Sequence, residues 1–454
     1  MAVSLLLVIC LSVNCIPIAS LAEDGPGPAG AWSMLRGDAR HSGCTPFNVS
    51  ANEGGVRWTH RFNVRVDYSG GGAYTMAADG TVYMLSSRPS GIISISPDGT
   101  ERMVLVADAS HWGPVLGPDG TLYHLGLAEV SAYDPGGRNK WILPLGANIT
   151  SSATVDAEGT VYVGTEDGNL SAISPLGSIV WKFWDRYAVR CCPAVGADGT
   201  VDFIGEWEDH QALISLHPDG TFRWAYPLEH ANSDSAPAVG PDGTVYCYVP
   251  PDRLCAIAPN GTLRWAADVP HGVFDEHESW CMILFPVISP DGTVYSGSID
   301  GLYSIAPDGM VIWRIERGHE VRPSAFTADG AILFTSDGRV KAADASGSVR
   351  WTAQSTTTPI AEVVVAPDGT VCFFDQFVFV ALNGEQSASR SAFWTHPWIL
   401  PVLAAMVLLP LAVVLIPIVW YERKLRRASP SGRADGTDGD RTGGDHPVGP
   451  PGGP

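Results

Sequence analysis

Apolar and polar residues alternate along most of this chain in short runs, and Gly-containing turns cut each run before a helical period can establish. The segment FPVISPDGTVYSGSIDGLYSIAPDGMVIWRIERG, Phe285 to Gly318, shows the unit most plainly. Phe285 to Ser289 reads as a first strand, and Pro290-Asp291-Gly292 as a turn. Thr293 to Ser298 is a second strand, Asp300-Gly301 a turn, and Leu302 to Ala306 a third. Pro307-Asp308-Gly309 turns again into a fourth strand, Met310 to Ile315, which carries Trp313. Gly takes a positive φ without steric cost and Asp bonds its own backbone, so each turn has a mechanism. Period-two alternation with three turn signals predicts a four-stranded antiparallel meander and leaves no room for a helix.

The unit recurs. Turns of the same kind sit at Asp79-Gly80, Asp119-Gly120, Glu158-Gly159, Asp198-Gly199, Asp242-Gly243, Asp291-Gly292, Asp329-Gly330 and Asp368-Gly369, at spacings of 38 to 49 residues. That period, built from short strands, predicts a β-propeller with one blade per repeat. Fourth strands carry Trp at one place: Trp58, Trp141, Trp181, Trp224, Trp265, Trp313 and Trp351. The repeat after Asp79 has Met103 or Val104 there instead. A flat side chain recurring at one strand position suits packing between neighbouring blades. The last repeat, Glu362 to Gly384, stops after three strands, whereas the first Trp strand, Gly55 to Phe62, has no blade of its own. Pairing the two predicts an eighth blade built from both ends of the chain, with no sheet edge left open to another chain.

The pattern PDGTVY, then SxDGxLYAI, then PDGxxxW resembles the pyrroloquinoline-quinone-type propeller repeat. The opening WSMLRGDARHSGCTP, Trp32 to Pro46, is similar to the lead-in of such propellers. The resemblance covers about residues 32–387. It implies the fold, and two directions for function: quinoprotein alcohol dehydrogenases, and a lipoprotein that assists outer-membrane barrel assembly. A shared fold does not carry chemistry.

The expected organisation follows from the ends of the chain. Residues 1–22 hold an apolar run closing on Ser20-Leu21-Ala22, a signal-peptide pattern, although no Lys or Arg precedes the run. An uncleaved anchor is the alternative. Residues 23–54 form the lead-in, 55–387 the propeller and 388–397 a linker. Trp398 to Trp420 is apolar and uncharged, long enough at about 1.5 Å per residue to span the hydrocarbon core of a bilayer. Arg423, Lys424, Arg426 and Arg427 follow it, which puts the C-terminus in the cytoplasm. The tail 421–454 is rich in Gly, Pro and Asp without large apolar residues, and reads as disordered. The propeller is thus expected outside the cell, tethered to the membrane by one helix.

A formal charge of -20 argues against nucleic acid as a partner. Sequons at Asn48, Asn148, Asn169 and Asn260 are glycosylation candidates, and Asn169 and Asn260 fall in hairpin turns. The chain has nine cysteines; Cys10 and Cys15 lie in the leader, so seven remain after its removal and at least one stays outside any intrachain pair. Cys247 and Cys255, on neighbouring strands of one hairpin, are a candidate disulfide or two small buried hydrophobes. Adjacent Cys191 and Cys192 resemble the vicinal disulfide beside the quinone in some quinoprotein dehydrogenases; the plainer reading is two side chains on opposite faces of a strand. The calcium-binding carboxylates, catalytic Asp and aromatic platform of those enzymes are not recognisable.

Aligning the copies picks out the residues at the leading ends of the first strands: His111, Trp112, Arg190, Cys191, Cys192, Asp234, Glu320, Arg322 and Glu362. Charges of both signs and an aromatic converging on one axial end make a candidate binding depression. The longest connection, Ala266 to Leu284, matches no zinc motif in its His, Asp, Glu and Cys spacing, and reads as a decorated recognition surface. No nucleophile motif or phosphate-binding loop occurs. The sequence therefore points to a non-enzymatic, membrane-anchored surface propeller without cofactor or metal, presenting one axial face to a protein, glycan or envelope component. The alternatives are a membrane-tethered quinoprotein oxidoreductase, using the quinone with calcium, and an envelope-assembly scaffold.

Overall fold

The computed structural model describes residues 32–383 except Leu35, 63–73, 88–89, 107–111, 185–187, Asp209, 229–235, 250–251, 271–284, 354–362 and 376–377. The expected leader, membrane segment and tail lie outside these residues. No helix among the described residues is long and apolar enough to cross a membrane.

Eight four-stranded antiparallel sheets make up the described fold. Blade 1 spans 74–106, blade 2 115–144, blade 3 154–184, blade 4 194–227, blade 5 238–268, blade 6 287–315 and blade 7 321–352. Blade 8 takes three strands from 364–383 and its fourth, Gly55–Arg61, from the other end of the propeller. Gly55 pairs with Asn383 and Arg61 with Val378, which is the closure expected from the orphan strand and the short last repeat. Asn52 helps to lock it, donating from Nδ2 to the carbonyl of Leu382 at 3.2 Å.

The recurring Asp and Trp have separate structural duties. Each Trp strand contains a β-bulge next to the Trp: Ala256 pairs with Trp265 and Ile257 with Leu263, so Arg264 is the extra residue. In four blades the extra residue is an Arg or Lys that reaches back to the Asp of the first turn in its own blade. Arg264 bonds Asp242 at 2.5 Å, Lys140 bonds Asp119 at 3.1 Å, Arg350 bonds Asp329 at 3.0 Å and Arg57 bonds Asp368 at 2.7 Å. The other carboxylate oxygen of Asp242 accepts the N–H of Thr244 at 3.0 Å and so closes the turn. The Asp-Gly repeat is therefore a strut.

The Trp crosses to the next blade. Its indole N–H donates to a backbone carbonyl in that blade's last turn: Trp141 to Pro175 at 2.8 Å, Trp181 to Pro218 at 3.0 Å, Trp224 to Pro259 at 2.9 Å, Trp265 to Pro307 at 2.8 Å and Trp313 to Ala345 at 2.8 Å. The ring lies over the Gly of the same turn. A Cβ at Gly220 would stand 2.5 Å from the Trp181 ring, and the φ of +81° there also excludes most L-residues. On the other side, Tyr123, Tyr162, Tyr246 and Tyr295 of the second strands pack 5.8 to 5.9 Å from the Trp of their own blade. Blade 1, which lacks the Trp, sets Val104 against Gly137.

Candidate functional site

Two faces follow from a meander. The Asp-Gly turns and the turns between third and fourth strands lie on one, the turn face. The leading ends of the first strands lie on the other, with the turns between second and third strands.

The axis between the faces is filled by the lead-in. From Trp32 onward the chain circles the axis once, visiting the blades in order and offering backbone carbonyls to their innermost strands. Trp32 accepts from the N–H of Met76 at 2.9 Å, Ser33 from Leu116 at 2.8 Å, Ala39 from Val195 at 2.6 Å and Arg40 from Val239 at 2.8 Å. Ser42 accepts from Ile288 and Gly43 from Phe326, both at 2.8 Å. The first strands are short here because Pro114, Pro193, Pro237 and Pro286 precede the paired residues and bring no N–H to a ladder. Their axis-facing amides would otherwise be orphaned in a buried place, so the ring satisfies what the blades leave open.

Arg36 and His41 fill the ring. Both are buried, at 3 % and 0 % exposure, and both hold positive φ, 62° and 56°. Left-handed backbone is unfavourable for side chains of this size, so the surrounding bonds must impose it. The Arg36 guanidinium donates to the carbonyl of Pro323 at 2.8 Å and of Phe285 at 3.3 Å, and stands 4.7 Å over the Phe285 ring. His41 Nδ1 is 3.0 Å from the carbonyl of Pro237, and Nε2 is 3.2 Å from Thr154 Oγ1. A carbonyl only accepts, so the proton of the neutral ring sits on Nδ1. Burial pushes the imidazolium down to about 4, which keeps the ring neutral. Asp38 holds the turn between them, accepting from the Ser42 N–H at 2.9 Å and hydroxyl at 2.6 Å.

Of the candidates read from the sequence, His111, Asp234 and Glu362 lie outside the described residues. Glu320 and Arg322 form an exposed ion pair, with Nη2 and Nε of the arginine 2.6 and 2.8 Å from one carboxylate oxygen. Arg190, just before the first strand of blade 4, is exposed, and Trp112 is half-buried, donating to the carbonyl of Ile149 at 3.4 Å. These four remain on the leading face. Cys191 and Cys192 do not; both are buried and face different partners. Cys191 Sγ accepts from the Ile204 N–H at 3.0 Å, in its own blade, while Cys192 Sγ lies 3.1 Å from Thr154 Oγ1 of blade 3. Cys247 and Cys255 stand directly opposite across their strand pair, as free thiols. Most of the connection 266–284 lies outside the described residues, and among the described ones no group of three or more His, Cys, Asp or Glu is arranged to hold a metal.

Asn169 opens the third strand of blade 3 and Asn260 lies in a turn of blade 5, as their hairpin positions implied. Asn48 and Asn260 are exposed, while Asn148 and Asn169 are half-buried.

The family model described as outer membrane protein assembly factor BamB matches residues 209–372. No curated protein matches the chain in sequence. Among solved structures, BamB from Moraxella catarrhalis is 15% identical with a TM-score of 0.54, covering 72% of this chain and 99% of its own. The quinohemoprotein alcohol dehydrogenase from Comamonas testosteroni is 12% identical with a TM-score of 0.59, covering 80% of this chain and 82% of its own. The computationally designed Ika8 protein is 14% identical with a TM-score of 0.55, covering 73% and 99%. At these identities the likeness is one of fold. The resemblance to the pyrroloquinoline-quinone-type propeller repeat drawn from the sequence is matched in blades 4 to 8.

Proposed function

We propose that this protein is a non-enzymatic binding propeller, held at the outer side of a membrane by its C-terminal apolar segment, that engages a protein partner through its leading face. The observation that carries this reading is the filled axis. The place where a propeller most readily encloses a small ligand is taken by the chain's own lead-in, which leaves the faces for recognition. A flat quinone at this level would have to displace Arg36, His41 and the carbonyls bonded to six blades. The two adjacent cysteines, engaged with different partners inside the core, add nothing that would stack on such a ring. The leading face keeps the Glu320–Arg322 pair, Arg190 and Trp112, a mixture of charge and aromatic surface suited to a protein interface. The match to the BamB family model supports a protein partner over a glycan.

The membrane tether, the cleaved leader and the extracellular setting rest on the sequence patterns of residues 398–427 and 1–22. The test uses full-length protein in membranes, carrying a photo-crosslinking residue at Arg190 or Arg322 on the leading face, or at Asp219 or Asp308 on the turn face. A discrete protein adduct from the leading positions alone is expected. Adducts from the turn face alone, or from neither, would contradict the reading. So would dye-linked alcohol oxidation that requires added quinone and calcium.

A further inference from the structure

One cleft between blades differs from those around it. In five clefts the Trp indole donates to the last turn of the following blade and lies over its Gly. Where blade 8 meets blade 1, the corresponding groups are Trp58 and the turn Ser96-Pro97-Asp98-Gly99. There the indole sits back: a Cβ at Gly99 would stand 3.7 Å from the Trp58 ring, against 2.5 to 3.0 Å in the five seated clefts. Trp58 Nε1 is buried and has no hydrogen-bond partner among the described residues. A cavity of about 150 Å³ opens beside it, lined by Trp58, Val82, Pro97, Ala366, Pro367 and Phe379 among others.

We propose that this cleft is a binding site for a small uncharged molecule that joins an apolar body to one hydrogen-bond-accepting oxygen. The unmet indole N–H supplies the polar demand, because a buried donor left unpaired costs about 1–3 kcal/mol and an acceptor placed there recovers it. The wall supplies the apolar demand. Its volume is that of cavities that take up benzene, so an occupant has roughly six to eight heavy atoms. Charge is disfavoured, since the rim carboxylates are already engaged: Asp368 by Arg57 at 2.7 Å and Asp79 by the Thr81 N–H at 2.8 Å. A water would meet the N–H but would stand against a largely apolar wall with few further partners. The site lies at the propeller's closure, so an occupant bridges the first blade and the blade made from both chain ends.

The test is an indole ¹⁵N–¹H titration of the propeller with cyclohexanone, which accepts but cannot donate, and with methylcyclohexane as the acceptor-free control. The Trp58 signal is assigned by its loss in Trp58→Phe. A saturable shift confined to that signal is expected with cyclohexanone, with half-saturation on the order of 1 mM. Trp58→Phe is expected to bind about tenfold more weakly by calorimetry, since it keeps the ring but loses the N–H. Ala366→Leu, which fills the cavity from the opposite wall, is expected to abolish the shift while leaving the Trp58 signal in place. No saturable shift, equal shifts across all indoles, or equal affinity for the control would overturn the proposal. So would a Trp58 N–H that shows only a bound water.

Discussion

The wall of the propeller and the ring inside it obey different rules. The wall is periodic: the blades repeat one turn-and-strand unit, four of them with an Asp strut to a bulge Arg or Lys and five of the clefts with a Trp docked on the next blade, so the loss of one dock leaves the others intact. The ring from Trp32 to Gly43 occurs once, and every blade from 1 to 7 touches it through a backbone carbonyl or through His41 and Arg36. Local parts of the wall are replaceable, whereas the ring is shared by seven blades at once. The contrast teaches that repetition builds this fold and a single unrepeated segment completes it.

The largest expected effect comes from removing the ring. Deleting residues 23–47 leaves six innermost amides without their acceptors, each worth about 1–3 kcal/mol when buried, a sum comparable with the whole stability of a typical domain. Loss of cooperative unfolding in calorimetry is expected, with intact blades and an unchanged melting transition as the opposite outcome.

Asp202 is the next place to press. It stands where blades 1, 2, 3, 5 and 6 carry Tyr, buried at 1 % exposure, and burial pushes its carboxyl up to about 7. The folded state therefore keeps a proton that the unfolded chain releases, so stability falls as pH rises from about 4 to 7. Asp202→Asn removes that slope, and by linkage gains up to about 4 kcal/mol over wild type at pH 8, with little difference at pH 4. Denaturant melts across that range check it; a constant difference would show that the carboxyl is already ionised.

His41 works in the other direction. Its folded value near 4 lies below the ordinary 6.5, so the unfolded chain takes up a proton first as pH falls. In the Asp202→Asn background, where the opposing slope is gone, stability is expected to drop by about 3 kcal/mol between pH 6.5 and 4. A flat profile would mean that the imidazole is solvated and that the ring is open.

The smallest effect separates seated from unseated tryptophans. Trp224→Phe breaks a 2.9 Å bond to Pro259 and is expected to cost about 1 kcal/mol. Trp58→Phe breaks none, and its cost is expected to be no more than a few tenths of a kcal/mol in the absence of ligand. Equal costs would erase the distinction between the two kinds of cleft.

The wall was legible in the sequence because turns and alternation are local. Asp-Gly spacing gives the blades, and the unmatched strand at Gly55 and the short repeat at Glu362 give the closure. Even the strut has a local signature, an Arg or Lys directly before Trp, as in Arg264-Trp265 and Arg350-Trp351. The ring was not legible. Its partners are backbone amides spread from Met76 to Phe326, and backbone pairing across hundreds of residues leaves no side-chain pattern to read. The one hint was the buried-capable pair Arg36-Gly37 and His41-Ser42-Gly43, where glycines mark unusual backbone beside charge. Trp112, Arg190, Glu320 and Arg322 are half-buried or exposed near the starts of their first strands, while Cys191 and Cys192 are buried against Ile204 and Thr154.

Hydrogen exchange at the amides of Val195, Val239, Ile288 and Phe326 tests the filled axis most directly. With the lead-in in place these amides are expected to exchange only by global unfolding, as slowly as the central blade strands, and to be indifferent to added quinone and calcium. Rapid exchange that slows when the quinone is added would mean that the axis belongs to a ligand and not to the chain itself.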